Sequence, residues 1–240
     1  MKISVVVPAH NEEENIAGAI LSIESSLRLP HELIVVDDHS QDRTAAIVSE
    51  LLRDYPNLRL AANTGEKGFA NAVRFGFAQA RGEAVVPVMG DLCDDIATVE
   101  KMYARIEQGY DVVCGSRYIK GGARLGGSRI KGFFSGFVGW SLYYLLGIPS
   151  HDTANAFKMY RRNVLEAVES RAKGFEMSLE LVLKAYYAGF RITEVPTVWR
   201  EREKGTSSFN MLKLSRNYLK FYSWGVMMRF SPVKKRRGAK

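Results

Sequence analysis

Polar residues interrupt the first half of this chain at four places, each after an apolar run. Asn11 and Glu12 follow the run 3–8 (ISVVVP), and Asp37 and Asp38 follow 33–36 (LIVV). Asp91, Asp94 and Asp95 follow 84–89 (AVVPVM), and Arg117 follows 112–115 (VVCG). Helix capping explains any one of these acids, since a carboxylate at a helix N-terminus stabilises by about 0.3–1 kcal/mol. It does not explain the set, because Asp38 and Asp91 stand ahead of further polar residues and need not be the cap. An acidic rim can hold a nucleotide's base and ribose through carboxylates. It can hold the diphosphate through Mg2+ or Mn2+, which takes carboxylate oxygens together with substrate phosphates. The glycine signatures of other phosphate-binding designs are missing, with neither GxxxxGK[ST] nor GxGxxG after the first run.

Such a rim requires strands whose ends align. The runs 3–8, 33–36, 58–61, 84–89 and 112–115 read as strands buried on both faces. Asn11 with Glu14 makes a capping-box pattern ahead of the helical stripe Ile16, Ile20, Ile23 and Leu27. Ser40 or Asp42 caps a second helix with the stripe Val48, Leu51, Leu52 and Tyr55, and helices follow over 67–80 and 96–106. Strands alternating with helices predict an α/β fold, a mostly parallel central sheet flanked by helices, with right-handed crossovers. Ligands on such a sheet bind at the carboxyl ends of the strands.

Past residue 115 the pattern changes. Residues 117–132 (RYIKGGARLGGSRIKG) read as a mobile, basic, glycine-rich loop, and 133–148 (FFSGFVGWSLYYLLGI) are apolar all round. A strand over 156–160, a helix over 176–187 and a strand over 191–198 follow. Residues 209–230 mix aromatics with Lys213, Arg216, Lys220 and Arg229, and 234–240 form a solvated basic run.

The 240 residues suffice for one α/β domain, and 46% apolar with 25% charged residues is globular composition, which excludes disordered and fibrous classes. Residues 200–240 carry 12 basic and 2 acidic side chains, so of the net charge of +8 the first 199 residues hold −2. A near-neutral globule with a basic end is not a nucleic-acid binder. Cys93 and Cys114 make neither a disulfide scaffold nor a zinc pattern. Residues 1–14 are too short and too acidic for a signal peptide, and no apolar stretch reaches the roughly 18 residues of a membrane span. A cytosolic, non-spanning protein is expected.

Five segments in register resemble the family 2 inverting glycosyltransferases of GT-A fold. They are 3–12 (ISVVVPAHNE), 35–44 (VVDDHSQDRT), 66–68 (EKG), 88–92 (VMGDL) and 115–122 (GSRYIKGG). Residues 151–157 (HDTANAF), 174–180 (GFEMSLE) and 194–209 (EVPTVWREREKGTSSF) extend the resemblance to about residue 210. The nearest branch is the dolichyl-phosphate mannose synthase-like, or polyprenyl-phosphate glycosyltransferase, group. The resemblance implies a single GT-A domain over 1–210, with an amphipathic helix and basic tail over 211–240. It implies that Pro8, His10, Glu12, Asp37 and Asp38 line a nucleoside pocket, Asp38 reading the base edge, with Lys67 and Gly90 in the same nucleotide-binding set. Asp91 becomes the metal-binding and catalytic aspartate. Arg117 and Arg129 grip the acceptor phosphate, and Arg202 reaches the reacting phosphates from the far side.

The chain departs from this pattern at Met89, which replaces the first aspartate of D-x-D, at Cys93, and at Ser208, where a lysine is expected. Either Asp94 or Asp95 compensates at the metal, or Asp91, water and the diphosphate hold Mg2+ or Mn2+ between them. The implied reaction is inverting transfer of a sugar from a UDP- or GDP-linked donor to a polyprenyl phosphate. A phosphate acceptor is already anionic and needs no general base, which suits a site with no histidine placed as one. Asp152 either caps a turn or borders the sugar pocket. Residues 133–148 suit an interfacial segment, which with 209–230 places the protein peripherally on the inner face of a membrane. Two competing readings are the same chemistry on a soluble or glycan hydroxyl, with Asp91 as base, and a sugar-nucleotide binder that has lost catalysis at Met89. A nucleotidyltransferase is discounted for want of a glycine-rich basic loop after the first strand.

Overall fold

A computed structural model describes residues 1–202 and 211–230 of the protein. Four βα units open the chain: β1 (Ile3–Ala9), α1 (Ile16–Ser26), β2 (His31–Asp37), α2 (Thr44–Leu51), β3 (Leu58–Ala62), α3 (Phe69–Gln79), β4 (Ala84–Pro87) and α4 (Ala97–Glu107). There follow β5 (Val112–Ser116), β6 (Ala123–Leu125), α5 (Arg129–Leu146), β7 (Lys158–Arg161), α6 (Arg162–Ala167) and α7 (Met177–Ala188). The described chain closes with β8 (Ile192–Pro196), β9 (Val198–Arg200) and α8 (Met211–Phe230). Among the described residues one sheet has the order β3-β2-β1-β4-β7-β5-β8, in which β7 alone is antiparallel to its neighbours.

Both faces of the sheet are covered. On β1, Ile3, Val5 and Val7 pack with Ile16, Ile20 and Ile23 of α1 and Met102 of α4, while Val6 packs with Ala72 of α3 on the opposite face. The expected stripe of α1 is therefore its buried edge. The second half of the chain covers the α3 face, where Leu142 of α5, Leu179 and Val182 of α7 and Tyr222 of α8 share one cluster.

Three local expectations are corrected. Asn11 does not cap α1; at φ 52° its side chain accepts the Gln41 amide at 2.8 Å, and its own amide donates to the Ser40 hydroxyl at 3.1 Å. Glu13 donates its amide to Asp42 Oδ2 at 3.1 Å and accepts the Arg43 amide at 3.0 Å, which ties the loops after β1 and β2 together, while Asp42 Oδ1 accepts the first amide of α2, that of Thr44, at 2.9 Å, as expected. The stretch 117–132 is not one loop: Ala123–Leu125 pairs with Val198–Arg200 in a two-stranded sheet, set between glycines at φ 90° (Gly121), 84° (Gly126) and 72° (Gly127). The strand expected over 191–198 breaks at Thr197 into β8 and β9. One face of α5 is buried and the other is exposed. Leu142 and Leu146 are buried, whereas Phe133, Phe137, Trp140 and Tyr144 are more than half exposed. No helix among the described residues is long and apolar enough to cross a membrane.

Candidate functional site

Because β1, β2, β4 and β5 run the same way, the residues that leave their carboxyl ends share one rim of the sheet. At its left end the amide of Asp38 donates to Ala9, tying the exits of β2 and β1 together. The Asp38 carboxylate is buried; Oδ1 accepts from Asn63 Nδ2 at 2.7 Å and Oδ2 from the Gly68 amide at 2.8 Å. Asp38 thus closes the loop 63–68 into a fixed wall. Gly68 sits at φ 145°, a conformation that favours glycine, which keeps its amide available to that carboxylate. His10 Nδ1 lies 2.8 Å from the Asp38 carbonyl and so carries the proton there, turning Nε2 into an acceptor. Asp37 accepts from the Ser40 amide, Lys67 is exposed, and Pro8 and Gly90 are buried.

In the middle of the rim Arg202 bridges the exits of β1 and β4. Its Nη2 stands 2.8 Å from Asp91 Oδ2 and 3.3 Å from Glu12 Oε1. Burial opposes the arginine's charge, but the Asp91 bond and both carboxylates outweigh it and raise its pKa. Asp91 Oδ1 also accepts the Cys93 amide at 3.2 Å. Asp94 Oδ2 turns inward to the Met89 amide at 3.1 Å, and burial pushes its carboxyl up to about 7. Asp94 is thus engaged in closing its own turn, and Asp95 accepts from the Thr98 hydroxyl. No group of three or more His, Cys, Asp or Glu side chains that could hold a metal occurs among the described residues. This donor set fits a hard cation only when a diphosphate supplies most of its oxygens, with Asp91 as the protein's ligand, a mode that suits Mg2+.

At the right end, Arg117 is held rather than free. Asp152, with no exposed side-chain surface, takes Nε at 2.7 Å and Nη2 at 2.8 Å, a bidentate fork, and also accepts the Arg117 amide at 3.0 Å. Nη2 further donates to Ser135 of α5 at 2.9 Å. The carboxylate that sequence reading placed at a turn cap or in the sugar pocket is therefore the partner of the arginine placed on the acceptor. Lys158 is fully buried nearby, donating to the carbonyls of Thr153 and Asn155, and burial lowers its pKa to about 8. The fork depends on α5 lying close, because a Cβ at Gly139 would run into the His151 carbonyl. Tyr143 stacks on the His151 ring at 4.0 Å, and His151 bonds Glu194 at 2.6 Å.

The structure thus joins Glu12, Asp91 and Arg202 in one contact and Arg117 with Asp152 in another, and sets His10 against Asp38. Arg129 is exposed at the start of α5. Sequence reading missed Asn63, although it follows β3 as Asp38 follows β2, so the same rule finds it. It also missed Lys158, whose burial no local pattern announces. Ser208 and the run 234–240 lie outside the described residues, as does the side chain of Lys213.

Residues 4–169 match the family described as Glycosyl transferase family 2. The chain is 33% identical over 212 residues to a dolichol-phosphate mannosyltransferase of Pyrococcus furiosus, covering 86% of this chain and 59% of that protein. It is 30% identical over 236 residues to a polyprenol monophosphomannose synthase of Mycolicibacterium smegmatis, covering 92% of this chain and 86% of that one. Among solved structures it superimposes on glucosyl-3-phosphoglycerate synthase from Mycobacterium tuberculosis in complex with Mn2+, UDP and glucosyl-3-phosphoglycerate. The TM-score is 0.71 at 20% identity, over 94% of this chain and 80% of that one. It also superimposes on Staphylococcus aureus TarS 1–349 in complex with UDP-GlcNAc, with TM-score 0.68 at 21% identity, over 98% of this chain and 68% of that one. These two likenesses bear on the fold, which is the expected single α/β domain of GT-A type.

Proposed function

The chain belongs to glycosyl transferase family 2, and from that premise we propose that it transfers a sugar, with inversion, from a nucleoside diphosphate sugar to a polyprenyl phosphate. The observation that carries this reading is the meeting of Glu12, Asp91 and Arg202 at one point of the rim, with the Arg117–Asp152 pair on the other side. The left half, with His10, Glu12, Asp38 and Asp91, suits a UDP- or GDP-linked donor. Mannose is the sugar named for both curated relatives, and this chain spans 59% of the length of the first of them.

Inversion takes one displacement at the anomeric carbon. The departing diphosphate gains negative charge, which Arg202 is placed to stabilise, since it already reaches across Asp91. Mg2+ or Mn2+, held by Asp91 and the diphosphate, would supply further charge neutralisation when bound. On the other side, Asp152 engages Nε and Nη2 of Arg117, so in this reading Nη1, on a side chain 11% exposed, is left to meet the acceptor phosphate. Arg129 supplies a second guanidinium from the start of α5. A hydroxyl acceptor would need a base, and Asp91, the candidate, is engaged by Arg202 and the Cys93 amide. The exposed aromatic face of α5 and the exposed Leu219, Met227 and Phe230 of α8, beside Arg216, Lys220 and Arg229, suit peripheral contact with an anionic membrane surface. In this reading residue 210 divides the catalytic domain from a lipid-facing helix and basic tail, on the inner face of the membrane.

The test is a radiolabel transfer assay, GDP-mannose, UDP-glucose and UDP-GlcNAc each with polyprenyl phosphate, run with Asp91→Asn and with excess chelator. One donor should label the lipid, and Asp91→Asn should lower the rate by about 100-fold or more. Label appearing only in hydroxyl acceptors would reject the lipid reading, and full activity in chelator would reject the metal.

A further inference from the structure

Among the described residues, three buried side-chain polar atoms have no hydrogen-bond partner in the protein: Ser116 Oγ, Thr153 Oγ1 and Glu176 Oε2. Such orphans are few in native folds, and each costs on the order of 1–3 kcal/mol, more when the group is charged. These three gather around one place. Ser116 directly precedes Arg117 and Thr153 directly follows Asp152, so two of them flank the buried ion pair along the chain. Glu176 arrives from the start of α7. Tyr218 of α8 donates to the Phe175 carbonyl at 3.2 Å, next to Glu176, and Ser178 donates to the Ala154 carbonyl at 3.2 Å, beside Thr153.

The Glu176 carboxylate is aimed, not loose. Its Oε1 accepts from the amides of Lys173 and Gly174, both at 3.2 Å, and from Asn217 Nδ2 at 3.1 Å, which leaves Oε2 pointing elsewhere at 1% residue exposure. The same loop touches the nucleotide side. Phe175 stacks on Phe69 at 4.2 Å, and Phe69 follows Gly68, whose amide binds Asp38. The segment that carries Glu176 thus touches the wall organised by Asp38 through Phe175 and Phe69, and the stretch after Asp152 through Ser178.

We propose that Glu176 is a specificity-determining residue that accepts a hydroxyl of the transferred sugar at Oε2, with Thr153 and Ser116 completing a polar subsite for one hexose ring. This rests on the nucleotide-sugar reading above. The chemistry matches: sugar hydroxyls donate and accept, a carboxylate only accepts, and the two protein hydroxyls do either. A site built to bond a hydroxyl discriminates strongly, because a ligand without it leaves the buried group unpaired.

The experiment is calorimetric titration of the wild type, Glu176→Gln and Thr153→Val with GDP-mannose and UDP-glucose, each against GDP or UDP alone. Both variants should bind the preferred nucleotide sugar about 10-fold or more weakly, with binding of the free diphosphate unchanged, which also reports an intact fold. Equal losses for sugar and diphosphate, or no loss for either, overturn the subsite and leave the family function standing. A wild type that binds neither nucleotide sugar overturns both.

Discussion

The left and right halves of the rim solve the same problem, holding charge at the edge of a sheet, in opposite ways. On the left, Asp38, Glu12 and Asp91 sit at the ends of neighbouring parallel strands and bond loop amides or one bridging arginine. Their positions follow from where β1, β2 and β4 stop. On the right, Arg117 depends on Asp152, which comes from a loop 35 residues further along the chain, and on Ser135 from a helix. Lys158, Asp152 and most of Arg117 have been taken out of water there, and the Arg117–Asp152 fork with the carbonyls that Lys158 meets offsets the desolvation. The left half is built by backbone geometry, and the right half by side chains that hold one another.

That contrast makes unequal predictions for the fold. Asp152→Asn leaves a buried guanidinium without its counter-charge, which costs about 3–5 kcal/mol in comparable buried pairs. Chemical denaturation should show this loss, and the KM for lipid phosphate should rise while donor affinity holds. A drop below about 1 kcal/mol would show that the right half is no more dependent on its ion pair than the left. The next largest effect is expected at Gly139→Ala. A methyl there meets the backbone of His151 rather than a movable side chain, so α5 must shift outward, at about 1–3 kcal/mol. Ser135 moves with the helix, and acceptor kinetics should suffer before donor binding does. Unchanged kinetics in a destabilised variant would detach α5 from the positioning of Arg117.

The same contrast explains what could be read in advance. Each left-hand strand and its following helix are local, so apolar runs and polar exits locate β1 to β4 and most of the rim. Even there the capping pattern at Asn11 misled, because a side chain that could bond its own helix bonds the neighbouring loop instead. On the right, β7 is antiparallel and is inserted between β4 and β5 although 41 residues separate the end of β5 from its start, and nothing in its four residues specifies that place. The motif 151–157 marked Asp152 as important but not what it binds, since its partner lies far back in the chain. Glu176 stood inside a recognised segment with no role, because an unsatisfied oxygen is a property of packing and has no sequence pattern.

The smallest effect on the fold, and a large one on location, is expected on the outer face of α5. Phe137 and Trp140 are 54% and 55% exposed, and each neighbours another exposed ring, so they contribute little to the core. Phe137→Ser with Trp140→Ser should alter unfolding free energy by no more than about 0.5 kcal/mol per site. An isolated exposed aromatic is ordinary, but a run of them along one helix face is the form an interaction surface takes. Burying each ring in a lipid interface is worth on the order of 1.5–3 kcal/mol, so the double variant should lose most of its sedimentation with anionic vesicles. Asp152→Asn, by contrast, should sediment as the wild type does while it remains folded. If the serine variant destabilised the protein instead and sedimented normally, the face would belong to the fold, and the right half would have a third internal contact in place of an outward one.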